Sequence, residues 1–251
     1  MNSETRIIAN TAPADAKLPQ ARPGFLGIVM LDTRFPRPLG DIGHPDTFGF
    51  PTRRGVVSGA WPDKVVASAA GLRAARLLPA FAAITRQLER DGALAITTSC
   101  GFLVLLQREL QAAVKVPVVT SSLLQLPALL DQQSHVGVLT ISARKLGAEH
   151  LRAAGVRRDR LADVLVEGVD PAGEFASAIL GNRAEMDLER AGRDVVDAAL
   201  ALKARAPALR TVVLECTNMP PYAQAIRDAT GLEVRSLLDS ARLQALAGRN
   251  Q

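Results

Sequence analysis

ALAITTSC (Ala93–Cys100) and LRTVVLEC (Leu209–Cys216) are short apolar runs that each end on a cysteine and each precede a stretch of helical periodicity. A run of this length bounded by a turn reads as a buried strand. The two cysteines are the only ones in the chain. Sliding the sequence on itself by their separation, 116 residues (216 less 100), sets Ala93 on Leu209, Val116 on Leu232 and Thr120 on Ser236. The repeated unit is strand, cysteine turn, helix, strand and a further helix. Two such units predict an α/β fold of two similar Rossmann-like lobes with mostly parallel sheets, related by a pseudo-twofold axis. Ligands of open α/β sheets bind at the carboxyl ends of strands, so both thiols are expected to face one cleft between the lobes.

Outward from these runs, β-branched segments alternate with amphipathic ones. Strands are predicted at Phe25–Leu31, Gly55–Ser58, Ala93–Thr98, Val116–Thr120, His135–Ile141, Val164–Val169, Thr211–Glu215 and Leu232–Leu237. Helices are predicted around Leu78–Arg90, Phe102–Ala113, Leu123–Gln132, Ala143–Ala154, Gly173–Leu180, Leu188–Ala204, Pro221–Ala229 and Asp239–Ala247. The division expected is a polar, mobile leader over 1–23, a first lobe of 24–122 plus 236–251 carrying Cys100, and a second lobe of 123–235 carrying Cys216. Pro and Gly concentrate between Thr33 and Trp61, a long connection whose apolar anchors Phe35, Phe48, Phe50 and Trp61 suggest an ordered loop over a ligand site.

The 251 residues are 48% hydrophobic, enough to bury a large core. No apolar run approaches the ~20 residues of a bilayer span, and the first residues lack the apolar block of a secretory signal, so a cytoplasmic protein is expected. In that compartment two cysteines are expected as free thiols. The net charge is +5, but 30 Lys+Arg are spread among 25 Asp+Glu and only 4% of residues are aromatic, which argues against nucleic-acid binding. The one dense basic run, Arg152–Arg160, fits a solvated helix end. His44, His135 and His150 show no metal-ligand spacing, and neither a GxGxxG nor a P-loop is present.

The chemistry-bearing residues cluster at the two turns. A thiol at a strand end and helix N-terminus can have its pKa lowered by the helix dipole. Around Cys100, Thr98 and Ser99 offer hydroxyl and N–H donors for a carboxylate, and Gly101 permits close approach of backbone to a ligand. Around Cys216, Thr217 and Asn218 can cap the following helix or bind an anion, and Pro220 and Pro221 suit its first turn. Each cysteine alone is as well explained as a small buried hydrophobe. Their shared register within the repeat favours function.

TTSCG (Thr97–Gly101) and ECTN (Glu215–Asn218), each following a strand and about half the chain apart, resemble the two cysteine motifs of the aspartate/glutamate racemase superfamily, which includes glutamate, aspartate and hydantoin racemases, maleate cis-trans isomerase and arylmalonate decarboxylase. The resemblance extends from Phe25 onward. It implies catalysis without cofactor or metal, with Cys100 and Cys216 as acid and base on opposite faces of the α-carbon of an amino acid or related carboxylate or hydantoin. A homodimer is a family-level expectation. Asp32-Thr33 follows the first strand where glutamate racemases carry Asp-Ser, implying a role in orienting a cysteine or substrate; an acidic loop cap is equally consistent. Asn218 replaces the His of glutamate racemases, which weakens the case for glutamate. Thr120, Ser121 and Thr140 lie at strand ends facing the expected cleft, as binding or turn residues.

Racemisation is the leading reading. The alternatives are a maleate-type isomerase, in which one thiol attacks carbon, a decarboxylase needing one thiol, and a non-catalytic protein binding small carboxylates. Arg34, Arg37, Arg53 and Arg54 in the long loop are candidates to receive a second carboxylate, with ordinary surface roles the simpler reading.

Overall fold

The computed structural model describes residues 24–247, so the predicted leader, 1–23, and the last four residues lie outside the described residues. The elements in order are β1 (Phe25–Leu31), β2 (Thr52–Val57), α1 (Pro62–Val65), α2 (Ala69–Ala74), α3 (Leu78–Arg90), β3 (Ala93–Thr98), α4 (Gln107–Ala112), β4 (Val118–Val119), α5 (Leu126–Leu130), β5 (Val136–Thr140), α6 (Ala148–Ala153), β6 (Val164–Gly168), α7 (Glu174–Leu180), α8 (Leu188–Arg205), β7 (Thr211–Leu214), α9 (Ala223–Thr230), β8 (Glu233–Arg235) and α10 (Ala241–Ala247). They build two four-stranded sheets, ordered β2-β1-β3-β4 and β6-β5-β7-β8, with every described pairing parallel. The second order is the first repeated.

The central strands carry continuous apolar sequence because helices cover both faces of a parallel sheet. FLGIVML of β1 and VGVLT of β5 are buried at every position. Helix α3 buries Phe81, Thr85 and Leu88, one stripe at helical spacing. Apolar residues of both sheets join one contiguous core, while Leu237 and Leu243 near the C-terminus pack with Leu26, Ile28, Met30, Ala95 and Val119 on the first sheet's other face. Among the described residues no helix is long and apolar enough to cross a membrane.

The repeat shows in detail after each cysteine. Gly101–Leu106 winds as a 3₁₀ helix before α4 begins at Gln107, and Pro220–Tyr222 does the same before α9 begins at Ala223, its counterpart. The single helix predicted over Phe102–Ala113 is therefore two segments. Prediction also overran at Ala143–Ala154: Gly147 is extended and starts α6 at Ala148, while Ser142–Leu146 form a turn. The loop predicted over Thr33–Trp61 includes β2, longer than the four-residue strand expected there. Helices α1 and α2 were absent from the sequence reading; each is short, one opening on Pro62 and one capped by Ser68, whose hydroxyl accepts the Gly71 N–H.

The lobes meet where β3 and β7 end. Thr217 Oγ1 donates to the Ser99 carbonyl at 2.6 Å, crossing from the second repeat to the first. The opposite crossing pairs Gly101 with Glu215: a Cβ on Gly101 would stand 2.2 Å from the Glu215 carbonyl oxygen and 2.3 Å from its Oε1. Ser99 and Glu215 are equivalent positions of the repeat, as are Gly101 and Thr217. Each crossing combines a larger and a smaller residue.

Two substitutions separate these contacts. Gly101→Ala should destabilise by about 1–3 kcal/mol through overpacking against backbone, and Thr217→Ala by about 1 kcal/mol through loss of one hydrogen bond. Urea unfolding checks both; equal, small losses would show that the Gly101 crossing is not tight.

Candidate active site

Cys100 and Cys216 line one small cavity of about 20 Å3, together with Leu31, Phe35, Ser99, Glu215, Thr217 and Asn218 among others. That volume holds about one water. Both cysteines are free and buried. The turns deliver them alike: N–H groups of Phe102 and Leu103 point at Cys100, and that of Asn218 at Cys216.

These donors do not make the thiols acidic. Burial raises both pKa values above the usual thiol range, and the neighbouring Glu215 charge adds to it, outweighing the N–H groups. The expected lowering by a helix dipole is thus overturned: the helix after Cys100 begins as six residues of 3₁₀ turn, and desolvation dominates. Glu215 is itself shifted, burial pushing its carboxyl up to about 8 against the hydrogen bond from Thr140. Its Oε2 accepts the Thr140 hydroxyl at 2.7 Å, while its Oε1 is buried with no hydrogen-bond partner among the described residues.

Of the residues singled out in the sequence, Ser99, Gly101, Thr217 and Asn218 line the cavity with the cysteines. The space beside Gly101 goes to Glu215, so it is a neighbouring side chain, and not a ligand, that the glycine admits. Thr98 Oγ1 donates to the Thr120 carbonyl at 2.7 Å, Thr120 Oγ1 to Gln107, and Ser121 Oγ caps the following turn at Leu123 N–H. Their hydroxyls brace the strand ends behind the cavity. Thr140 touches the site only through Glu215.

Asp32 and Thr33 line a separate, open cleft of about 600 Å3 with Arg37, His44 and Arg54. Leu31 and Phe35 line both spaces and so stand between them. Asp32 Oδ2 accepts the Gly59 N–H, and its carbonyl accepts the Asn182 amide, which in turn accepts the Arg34 N–H, tying the loop to the second repeat.

Asp41 was not singled out by sequence reasoning. It is 1% exposed and connects loop to thiol: Arg37 Nη1 and Gly43 N–H donate to Oδ1, and Asn218 Nδ2 donates to Oδ2 at 2.6 Å, while Asn218 Oδ1 lies 3.5 Å from the Cys216 sulfur. Arg37 also covers the Phe35 ring, 4.6 Å from its centroid. Glu215 belongs to the second cysteine motif, and its signal in the sequence is a charged residue ending the apolar strand TVVL where the first repeat has Ser99. Among the described residues no group of three or more His, Cys, Asp and Glu could hold a metal ion. His150 is a packing residue, its Nδ1 accepting the Gly147 N–H and its ring edge-on to Phe102. A larger cleft of about 540 Å3 lies at Gln133, His135 and Arg210, without either thiol.

Comparison with known proteins agrees with this architecture. Dimethylsulfoniopropionate lyase of Durusdinium sp. clade D is 30% identical over 236 residues, covering 91% of this chain and 76% of that protein. Dimethylsulfoniopropionate lyase 6 of Emiliania huxleyi is 31% identical over 237 residues, covering 88% of this chain, which spans only 58% of that relative's length. Glutamate racemase from Bacillus anthracis superposes with a TM-score of 0.56 at 14% identity, over 89% of this chain and 80% of the other, a likeness of fold alone. The Asp/Glu/hydantoin racemase family profile matches residues 62–246, most of the chain and both cysteine turns. The chain belongs to the Asp/Glu/hydantoin racemase family.

Proposed function

We propose that this protein is a carbon-acid lyase: a thiol of the Cys100–Cys216 pair removes a proton from the carbon next to a substrate carboxylate, and a leaving group departs from the β-carbon. The observation carrying this is the pair of buried thiols lining one small cavity beside a buried carboxyl. Support for the lyase outcome comes from the similarity to dimethylsulfoniopropionate lyases across most of the chain. With that substrate the chemistry balances simply. The C–H electrons form the new C=C bond, the C–S bond breaks, its electron pair leaves with neutral dimethyl sulfide, and acrylate remains. The leaving group needs no acid.

Proton abstraction requires a thiolate, and burial holds both thiols neutral. A substrate carrying positive charge supplies the missing counter-ion on binding. The N–H groups already aimed at each sulfur then stabilise the anion as it forms. The cavity must widen to admit a substrate, and Phe35, facing the outer cleft, is the side chain whose movement would join the two spaces.

A second reading is favoured by the equivalence of the two turns. Matched thiols on opposite lobes suit inversion at an α-carbon, one as base and the other as acid. Inversion needs both thiols, whereas elimination from an onium needs one base.

Proton NMR in deuterated water tests the choice. Dimethylsulfoniopropionate should yield acrylate and dimethyl sulfide; no acrylate, together with α-deuteration and inversion of an amino acid or hydantoin, would overturn elimination in favour of racemisation. Cys100→Ser and Cys216→Ser should lower kcat unequally, the base variant by about 10²–10⁴-fold. Alkylation by iodoacetamide should be slow at pH 7 and accelerate with rising pH above the ordinary thiol range, because the thiolate is the reactive form; rapid labelling of either thiol at pH 7 would contradict the raised pKa values.

A further inference from the structure

The cavity lining is unequal in charge. Its lining residues include Leu31, Phe35, Phe102 and Ile141, and the only ionisable side chains among them are the two thiols and Glu215. Among the described residues no Lys, Arg or His lines it. Glu215 is 1% exposed, and Oε1 has no hydrogen-bond partner while Oε2 is held by Thr140. A buried carboxylate acceptor without donor or counter-ion is costly, so an unpartnered oxygen on a residue of the cavity lining, packed beside the lining residue Gly101, is a place where a ligand's positive charge is stabilised.

The kind of cation is constrained as well. A primary ammonium must find acceptors for three N–H groups when it leaves water. Two neutral acceptors at the wall are already used, the Ser99 carbonyl by Thr217 and Asn218 Oδ1 by Cys216. A methylated onium has no N–H to satisfy. It needs one opposite charge and apolar or aromatic contact, which Glu215, Phe35 and Phe102 offer. We propose that Glu215 is the specificity-determining residue of this site, its Oε1 receiving the charge of a methylated sulfonium or ammonium carried β to the substrate's carboxylate. The inference rests on the elimination reading for the placement of that charge.

The charged and titratable groups around Glu215 are Cys100 on the facing turn, Cys216 on its own turn, and the Arg37–Asp41 pair of the loop, with Thr140 its hydrogen-bond donor from β5. Because burial keeps the carboxyl protonated up to about pH 8, onium binding must release its proton. Affinity for the cation therefore rises with pH toward that value.

The test uses two ligands of one shape, 3-(trimethylammonio)propionate and its neutral carbon isostere 4,4-dimethylpentanoate, titrated calorimetrically into the full chain between pH 6 and 9. The wild type should prefer the onium by about tenfold or more, increasingly with pH. In Glu215→Gln the preference should vanish and lose its pH dependence, with isostere affinity unchanged. Thr140→Val, which leaves the charge but removes its hydrogen bond, should keep the preference and move its onset to higher pH. Equal binding of the two ligands by the wild type, or a preference surviving in Glu215→Gln, overturns the inference. If Glu215→Gln does not fold, a preference in Thr140→Val whose onset does not move overturns it instead. A Glu215-dependent preference in a protein that forms no acrylate would sink the elimination reading and leave the onium site standing; acrylate formation without that preference would do the reverse.

Discussion

The whole arrangement depends on the contact of two strand ends across the pseudo-twofold axis. β3 and β7 occupy the same place in their sheets, and beyond each the chain turns sharply at a cysteine. Thr217 reaching the Ser99 carbonyl, and Glu215 lying against Gly101, hold those turns together. Backbone is the partner in both crossings, so the spacing of the turns is set by main chain and does not vary with rotamer. The two sulfurs share a cavity as a result. Each sheet alone would present a single thiol at a strand end, a common position for a buried packing residue.

Closure has an electrostatic cost that the molecule accepts. Three groups capable of carrying negative charge, Cys100, Cys216 and Glu215, face a space of about 20 Å3 without a basic side chain on its lining. Burial resolves the conflict by holding protons on all three near neutrality. The Arg37 guanidinium is occupied by Asp41 and Thr33 and contributes to the site by fixing the loop, through Asp41 and Asn218, beside Cys216. Loop and thiol are parts of one hydrogen-bonded chain, so displacement of Phe35 by an entering molecule would be felt at the sulfur.

Much of this was legible in the sequence because the repeat is spelled in apolar runs. The 116-residue register aligned the strands, the turns and, as the structure shows, the starts of α4 and α9. Four residues chosen beside the cysteines line the cavity for the same reason: they are adjacent in sequence. What sequence did not give depends on contacts between distant segments. Asp41 meets Asn218 across 177 positions, and no local pattern announces it. Thr98, Thr120 and Ser121 lie at strand ends, as read, yet the hydroxyls of Thr98 and Ser121 are spent on backbone and that of Thr120 on the Gln107 side chain. The sign of the thiol shift is not legible in the sequence because the dipole is a local property and burial is not.

The crossed pairs also bear on how such a repeat can diverge. Ser99 with Thr217 and Glu215 with Gly101 are four residues filling two spaces, and each space admits one large occupant. An acid arising at position 99 would find the threonine in its way, and a side chain arising at 101 would find the glutamate. Sequence change at these positions is therefore epistatic: the carboxyl can pass from one half to the other only if the small residue changes sides with it. After a duplication that began with identical halves, that coupling would preserve whichever asymmetry was acquired first, and with it the inequality of two otherwise equivalent sulfurs.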